Sequence, residues 1–433
     1  MSHLIIFLIF TLLLALAAKV AYSIIWVPWV IAHHYNKQGT RGPSYHLIKG
    51  NTHEIRHMYT EVQSKPMTLC HDIDPRVSPF YHRWCPIYGK TILYWHGSKP
   101  RLALSDPDII KEALLKTGVW FKRMEPNPFM KMFFGDGILM ARGEKWAAHR
   151  VIANQAFKME SVKSWIPDMI ESTKIMFKKW EEKNRDIDEF EIEVNGDLHY
   201  LSADIISRVA FGSSYKEGKQ IFELQEQQHH LLSLATRSVY IPGFSKDEKQ
   251  RFKLKEIIDE CRNFYLAGKD TAANSLSWVL LLLGLNQEWQ RKARKEMNMI
   301  LQETLRLYPI TGALAREASK RVKVGNIDIL AGTVLYMSIT AVHHSTELWG
   351  EDALEFNPMR FFETQNHAMP YFSFGLGPNF CVGQNLAMVE MKLVLALILQ
   401  RYSFFVSPTY AHGPMLMMNV LPQYGMQIVF RRL

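Results

Sequence analysis

Residues 374–383 read FGLGPNFCVG, a stretch in which two glycines and a proline precede Cys381 and a helix-forming run follows it. Glycine has no side chain, so a backbone rich in it can pass close to a flat ligand. The amides and partial positive charge of a helix N-terminus stabilise a thiolate. A thiolate held in this way is a suitable axial ligand for haem iron. The alternative is a packed cysteine at a helix start, and the flanking Phe and Gly spacing argues against it.

The composition of the whole chain sets outer limits on what it can be. Of the 433 residues, 48% are apolar and 21% are charged, which excludes a wholly disordered chain, a collagen and a multi-span membrane protein. The net charge of +9 is spread thinly, so it favours a membrane surface or an acidic partner and predicts no nucleic-acid partner. The four cysteines, Cys70, Cys85, Cys261 and Cys381, contain no CxxC pair, so neither a disulfide framework nor a zinc site is expected.

Residues 1–30 are predicted to be a single-pass membrane anchor. An apolar run from Leu4 to Ala18 continues to Val27, and a helix of this length crosses a hydrocarbon core of about 30 Å. Trp26 and Trp29 suit the membrane–water interface, and the positive charges that follow the helix place the main body in the cytosol. A cleaved signal peptide is the alternative interpretation.

The remainder is predicted to be a linker over residues 31–50, rich in Gly and Pro, and a single globular domain over residues 51–433. Apolar periodicity predicts helices over residues 107–116, 145–157, 162–180, 199–209, 218–234, 256–283, 286–307 and 381–400. Short strands are predicted over residues 322–336 and a terminal hairpin over residues 420–430. The expected fold class is therefore mainly α with a small β region.

The Cys381 stretch resembles the cysteine loop of the cytochrome P450 family, the haem-thiolate monooxygenases. That loop has Phe, Gly, a basic residue, Cys and Gly at set spacing, and this chain supplies Phe374, Gly377, Cys381 and Gly383. Asn379 stands where the family usually has an Arg or His that contacts a haem propionate. The resemblance implies that Cys381 is the metal ligand and that the other three residues belong to the cofactor-binding loop.

A second motif, Glu303 to Arg306, resembles the family's ExxR. Residues three apart on a helix are neighbours, so the pair can bond, but such pairs are also common on solvated helix faces. In the family the glutamate also meets an arginine from a downstream loop, and residues 356–361 fit that loop. The resemblance implies a structural triad of Glu303, Arg306 and Arg360.

A third motif, residues 267–271, lies on the long predicted helix and resembles the family's oxygen-activation motif. Gly268 is expected to thin the helix where a ligand approaches. The hydroxyl of Thr271 can bond back to the helix backbone and open a local groove. The resemblance implies that Asp270 and Thr271 are catalytic and guide protons to bound dioxygen. The alternative is a helix with ordinary surface polar residues.

A fourth motif, Trp146 to Arg150, resembles the family's WxxxR, in which both residues bond a haem propionate. The alternative is a tryptophan that packs on an arginine stem. By the same resemblance, Arg316 is placed to contact a propionate.

The resemblance runs from the anchor to the C-terminus and implies a cytochrome P450 fold with haem b as cofactor. It further implies dioxygen as oxidant and electrons from an NADPH-dependent flavoprotein reductase, in the endoplasmic reticulum membrane with the catalytic body facing the cytosol. Residues 39–43 and 344–350 look like the plant clan that contains hormone- and terpenoid-modifying hydroxylases. A small apolar substrate is therefore expected.

Two internal stretches look short against the family. After residues 242–244 the chain reaches the long helix by about residue 256, where family members have two further helices. Residues 291–308 contain no Gly or Pro, so one continuous helix is predicted over 287–308. Such a fused helix is expected to carry Glu303 and Arg306 away from Arg360.

These departures leave three functions open. The first is a monooxygenase, and the second is a shortened, haem-poor or non-catalytic form of one. The third is a reductase-independent haem-thiolate isomerase or lyase. The presence of Asp270 and Thr271 argues against this third function. The sequence also suggests a set of candidate pocket residues, each open to a core role instead: Phe129, Phe133, Phe134, Leu231, Tyr240, Phe264, Ile310 and Leu314.

Overall fold

A computed structural model of the chain describes residues 2–125, 128–212, 252–363 and 369–433. These residues are mainly helical with a small β region, as predicted. The helices are α1 Ser2–Ala21, a π-helical turn Tyr22–Trp26, α2 Val27–Asn36, α3 Thr52–Gln63, α4 Asp74–Val77, α5 Pro79–Tyr88, α6 Pro107–Leu115, α7 Pro128–Phe134, α8 Gly143–Ala156, α9 Met159–Ser164, α10 Ile166–Lys183, α11 Val194–Phe211, α12 Phe252–Leu285, α13 Gln287–Leu307, α14 Ile339–His343, α15 Thr346–Trp349, α16 Arg360–Glu363 and α17 Gln384–Arg401.

Within the described residues the strands are short and belong to four sheets. In chain order they are β1 Thr91–His96, β2 Lys99–Leu104, β3 Phe121–Lys122, β4 Glu189–Glu193, β5 Ala313–Ala318, β6 Val322–Val324, β7 Ile327–Ile329, β8 Val334–Ser338, β9 Tyr402–Val406, β10 Pro414–Leu416, β11 Val420–Pro422 and β12 Gln427–Arg432. The chain forms two compact units that are interleaved in sequence. The first unit comprises residues 1–60, 79–124 and 315–338, and the second comprises 61–78, 125–314 and 339–433.

The first unit is built on a five-stranded sheet in the order β1-β2-β8-β5-β3. Strands β1 and β2 are antiparallel, with Thr91 opposite Leu104, and β2 pairs in parallel with β8. The sheet buries apolar side chains such as Ile92 and Leu335, which are fully enclosed. Helix α6 is held at its N-terminus by Asp106, whose carboxylate accepts hydrogen bonds from the two backbone N–H groups that follow.

The N-terminal helical stretch of the first unit projects its apolar side chains outward. Among the described residues, the stretch from His3 to Asn36 is the one helix long and apolar enough to cross a membrane. It runs through the π-helical turn and ends at Asn36, so the first residues of the predicted 31–50 linker are helical.

The second unit packs its core around α12, which is apolar on most faces in its C-terminal half. Residues 279–283 of this helix are completely buried, in contact with elements that include α11 and α17. Such a helix is stabilised by burial on all sides and not by one amphipathic face.

The predicted terminal hairpin over residues 420–430 is wrong. Strand β11 pairs with β10, whereas β12 lies between β4 and β9 in a separate three-stranded sheet. The apolar pattern identifies both segments as strands but carries no information about their partners. One of the two partners of β12, strand β4, comes from a distant part of the chain.

Candidate functional site

The cysteine loop of the second unit is a tight backbone turn. Gly375 and Gly377 both have a φ of +73°, a conformation that glycine adopts without strain. The N–H of Cys381 donates to the carbonyl of Phe374 over 2.9 Å, which closes the turn. Helix α17 then begins at Gln384, so residues 381–383 form the turn that enters the helix and not its first turn.

The thiol of Cys381 is accessible on one side and crowded by protein on the others. Its side chain is exposed, and the backbone N–H of Gly383 bonds to the sulfur. Burial among neighbouring atoms raises the pKa of Cys381, whereas the Gly383 N–H and the positive charge of Arg150 act to lower it. Gly383 and Arg150 therefore offset only part of the effect of burial on the pKa of Cys381. A bound metal cation would complete the stabilisation of the thiolate.

Helix α8 brings the WxxxR motif to this loop. Nη1 of Arg150 donates to the carbonyl of Phe380 over 2.7 Å, and its guanidinium lies over the Phe380 ring. Burial lowers the pKa of Arg150, and the nearby Cys381 charge raises it. Trp146 lies one turn earlier and is partly exposed, on the same face of the helix as Arg150. That the two bind a propionate stays a prediction.

The donor set around Cys381 fits a haem-thiolate centre. An accessible sulfur can bind iron, and an N–H bonded to it and a nearby positive charge help to stabilise the thiolate. Arg316, the other predicted propionate ligand, lies in the first unit on β5. It is buried and bonds to the Thr117 hydroxyl over 3.1 Å, and burial lowers its pKa to about 10. Its role toward a haem stays a prediction.

On α12 the two predicted catalytic residues face different surroundings. The hydroxyl of Thr271 donates to the carbonyl of Ala267 over 2.6 Å, the back-bond that its position suggested, and the residue is partly exposed. Asp270 is buried and faces α11, where its Oδ1 lies 3.3 Å from Nδ1 of His199. Lys269 is 4.0 Å from the same oxygen.

Gly268 is used differently from what the sequence suggested. It was expected to open the helix toward a ligand, but the space left by its missing side chain is filled by Ile206 from α11. A Cβ built at Gly268 would lie 2.9 Å from two carbons of that isoleucine. On this side the glycine therefore serves close helix packing.

Glu303, Arg306 and Arg360 meet in the core. Nε and Nη2 of Arg306 donate to Glu303 over 2.7 and 2.8 Å, and Nε of Arg360 donates to it over 3.1 Å. Glu303 and Arg306 are completely buried. Arg306 also donates to the carbonyls of His343 and Ala353, so it ties the end of α13 to the segment that leads to the cysteine loop.

The prediction that a fused helix would separate this triad is wrong. Helix α13 does run from Gln287 to Leu307, but its backbone leaves helical geometry at Glu296, with φ −110° and ψ 23°. This kink redirects the second half of the helix, and the triad forms beyond it.

Three polar contacts of α12 were missed from the sequence. His149, inside the WxxxR motif, bonds to Glu260. Asp259 and Asn263 accept from the backbone N–H groups of Asp136 and Leu139, each over 2.9 Å, and so hold the loop that leads to α8. Acid and amide side chains four apart on a largely apolar helix were the available signal, because such groups are buried only when they have partners.

The candidate pocket residues differ in how deeply the structure buries them. Phe134 and Ile310 are buried in the core, Phe264 packs on Phe157 with ring centroids 5.3 Å apart, and Leu314 is partly exposed. Four further candidates lie outside the described side chains: Phe129, Phe133, Leu231 and Tyr240. The helix predicted over residues 218–234 also lies outside the described residues.

Comparison with known proteins agrees with this geometry. The model of the family "Cytochrome P450" matches residues 79–244, 240–302 and 297–430. Cytochrome P450 734A1 of Arabidopsis thaliana is 37% identical over 98% of this chain and 96% of its own length. Cytochrome P450 CYP749A22 of Panax ginseng is 36% identical, with 100% of this chain and 96% of its own length covered. Cytochrome P450 CYP72A219 of the same plant is 34% identical over 95% of each chain.

The same comparisons support the two predicted internal gaps. One matched stretch of the family model gives way to the next at residues 240–244 and at residues 297–302. The alignment with the Arabidopsis relative has 503 positions, and 98% of this chain is about 424 residues. About 79 positions of that alignment therefore lie opposite gaps in this chain.

Proposed function

The chain belongs to the cytochrome P450 family of monooxygenases, and from that premise we propose that it hydroxylates a small apolar metabolite of the hormone or terpenoid type. The observation that carries the proposal is the placement of Cys381, with an accessible sulfur, an N–H donor and a neighbouring cation. The relatives are plant cytochromes P450, and the substrate class is proposed in that setting.

The roles of the residues follow from their positions. A haem b bound by Cys381 would supply the activation of dioxygen. Arg150 places positive charge beside the thiolate and braces the loop through the Phe380 carbonyl. Thr271 presents a hydroxyl on the accessible side of α12, and Asp270 holds a carboxylate one residue before it. The triad centred on Glu303 keeps the core beneath the loop in shape.

We further propose that a membrane-bound flavoprotein reductase supplies NADPH-derived electrons. The helix His3–Asn36 would anchor the chain once in the endoplasmic reticulum membrane, with the catalytic body in the cytosol. Family members generally use such a reductase and a small substrate.

The test is the reduced, carbon-monoxide difference spectrum of membranes that express the chain. We expect a thiolate-type band from the native chain and from Cys70→Ser, which changes another exposed cysteine. Cys381→Ser should abolish the band, because serine cannot supply the soft thiolate ligand. A chain that is clearly present but gives no band would contradict the proposal and support the alternative suggested by the gaps, a shortened and haem-poor form.

A further inference from the structure

Asp270 is enclosed where α11 and α12 meet, although the proposed reaction needs it to deliver protons repeatedly. Its side chain is 10% exposed, and the ring of His199 lies against its carboxylate. A carboxylate that gives up a proton in every cycle must be reloaded from solvent before the next one. The atoms next to Asp270 therefore decide how this reloading takes place.

His199 is oriented by an amide on α12. Its Nε2 lies 3.1 Å from Oδ1 of Asn274, and the same oxygen accepts a hydrogen bond from the Asn195 amide over 3.2 Å. An amide oxygen accepts and does not donate, so Nε2 of His199 carries a hydrogen. In the neutral ring the lone pair is then on Nδ1, the nitrogen that faces Asp270.

That Nδ1 atom is buried, and in the part of the chain that the structure describes it has no hydrogen-bond partner. It lies 3.3 Å from Oδ1 of Asp270, so a proton on Nδ1 would be held between the two groups. The side chain of His199 as a whole is 22% exposed, so part of it lies at the surface. One side chain thus reaches both solvent and the enclosed carboxylate.

We propose that His199 is a relay residue that returns a proton to Asp270 after each turnover, a role that rests on the proposed monooxygenase function. The protonated ring gives its Nδ1 proton to Oδ1 of Asp270 and becomes neutral, and it keeps the hydrogen on Nε2. When the partly exposed ring turns its Nδ1 edge outward, solvent supplies the next proton to Nδ1. Only a proton moves, so no oxidant or reductant is needed for the step.

The competing explanation is that His199 only holds the carboxylate in place. Glutamine separates the two, because it can donate a hydrogen bond to Asp270 but cannot carry a proton at neutral pH. The variant His199→Gln keeps a side chain of similar reach. Tyr200→Phe is the matched control, since Tyr200 is the next residue on α11 and the ammonium of Lys179 lies over its ring.

The first measurement compares two ways of driving turnover. With reductase and NADPH, His199→Gln should divert electrons from product to hydrogen peroxide, and the product formed per NADPH should fall about tenfold or more. With added hydrogen peroxide, which brings its own protons, turnover should stay near the native value. Equal losses in both assays, or normal coupling with NADPH, would overturn the relay. Tyr200→Phe should match the native chain in both.

A second measurement does not depend on activity. Diethyl pyrocarbonate labels unprotonated imidazole nitrogens, including those that solvent reaches only when the ring turns outward, and mass spectrometry identifies the labelled residue. His199 should be labelled, whereas the fully buried His343 should not. A native chain in which His199 is as unreactive as His343 would contradict the relay even if its haem spectrum is normal. Loss of the carbon-monoxide band in the native chain would instead count against the proposed function.

Discussion

The end of α13 and the face of α11 bury acidic groups in opposite ways. Glu303 on α13 accepts four hydrogen bonds, from the two arginines of its triad and from the N–H of Asn357. On the α11 face, Asp270 lies against the imidazole of His199 and 4.0 Å from the ammonium of Lys269, and Glu390 from α17 accepts a hydrogen bond of 2.7 Å from Ser202. A buried charge with several fixed cationic partners has one protonation state, whereas an acid held by a neutral hydroxyl, as Glu390 is, can change its state.

The cluster around Glu303 is therefore a rigid part of the second unit, whereas the α11 face is suited to proton movement. The guanidinium groups beside Glu303 are themselves bonded to backbone carbonyls, so the cluster is satisfied on all sides. The α11 face relies on hydroxyl, amide and imidazole groups, which exchange protons or partners at lower cost. Three changes test whether the contrast is real.

The largest expected effect is at Glu303. Glu303→Gln removes the charge that two buried arginines share, and we expect a loss of about 3–5 kcal/mol in the free energy of unfolding. Chemical denaturation of the solubilised protein measures it. Glu288→Gln, in the exposed first turn of the same helix, is the control and should leave the midpoint unchanged. Similar midpoints for the two variants would mean that the triad is not the rigid element.

A second effect is a dependence of stability on pH at Glu390. Burial raises the pKa of Glu390 to about 8, while the Ser202 hydroxyl acts to lower it. The unfolded chain loses this proton near pH 4.3, so between there and about pH 8 stability should fall by about 1.4 kcal/mol per pH unit. Above the folded pKa the dependence should end.

Two variants test this pH range, and the measurement is the free energy of unfolding at a series of pH values. Glu390→Gln cannot ionise, so its stability should change less with pH and should exceed that of the native chain near pH 8. Ser202→Ala removes the bond that favours the carboxylate, so the decline should extend to higher pH. An unchanged slope in Glu390→Gln would show that this acid is already ionised in the fold.

The smallest effect concerns the close approach of α11 and α12. Gly268→Ala places a methyl group 2.9 Å from Ile206, which costs about 1–3 kcal/mol, while alanine gains about 1 kcal/mol in helix propensity. The net loss should be at most about 2 kcal/mol. In an Ile206→Val background the same change should be neutral or stabilising. Additive effects in the double-mutant cycle would contradict a contact at this position.

Local patterns were enough to predict several elements of the fold. The spacing of Ile109, Ile110, Ala113 and Leu114 predicts α6, and the structure places it over Pro107–Leu115. A glutamate and an arginine three apart on a helix predict a contact between Glu303 and Arg306, and the two are bonded. Such features depend on residues within one or two helical turns of each other, so a short stretch of sequence is enough to predict them.

Other features depend on contacts between residues that are far apart in the sequence. The helix predicted from Cys381 begins at Gln384, because the bonds of the preceding loop keep residues 381–383 in a turn. Strand β12 was assigned the wrong partner, since alternation identifies a strand but not its neighbour. The kink at Glu296 was also not predicted, because the residues there are good helix formers and carry no Gly or Pro signal.

The sequence by itself determined the family, the cysteine proposed to bind the haem and the pair of Glu303 and Arg306, because these rest on residue type at short fixed spacing. Only the tertiary structure decided what surrounds them. It turned Asp270 toward His199 on another helix, filled the space at Gly268 with Ile206 and brought Arg360 to Glu303 despite the fused helix. Burial, pKa and the pairing of charges are properties of neighbours in space, and in this chain those neighbours are far apart in sequence.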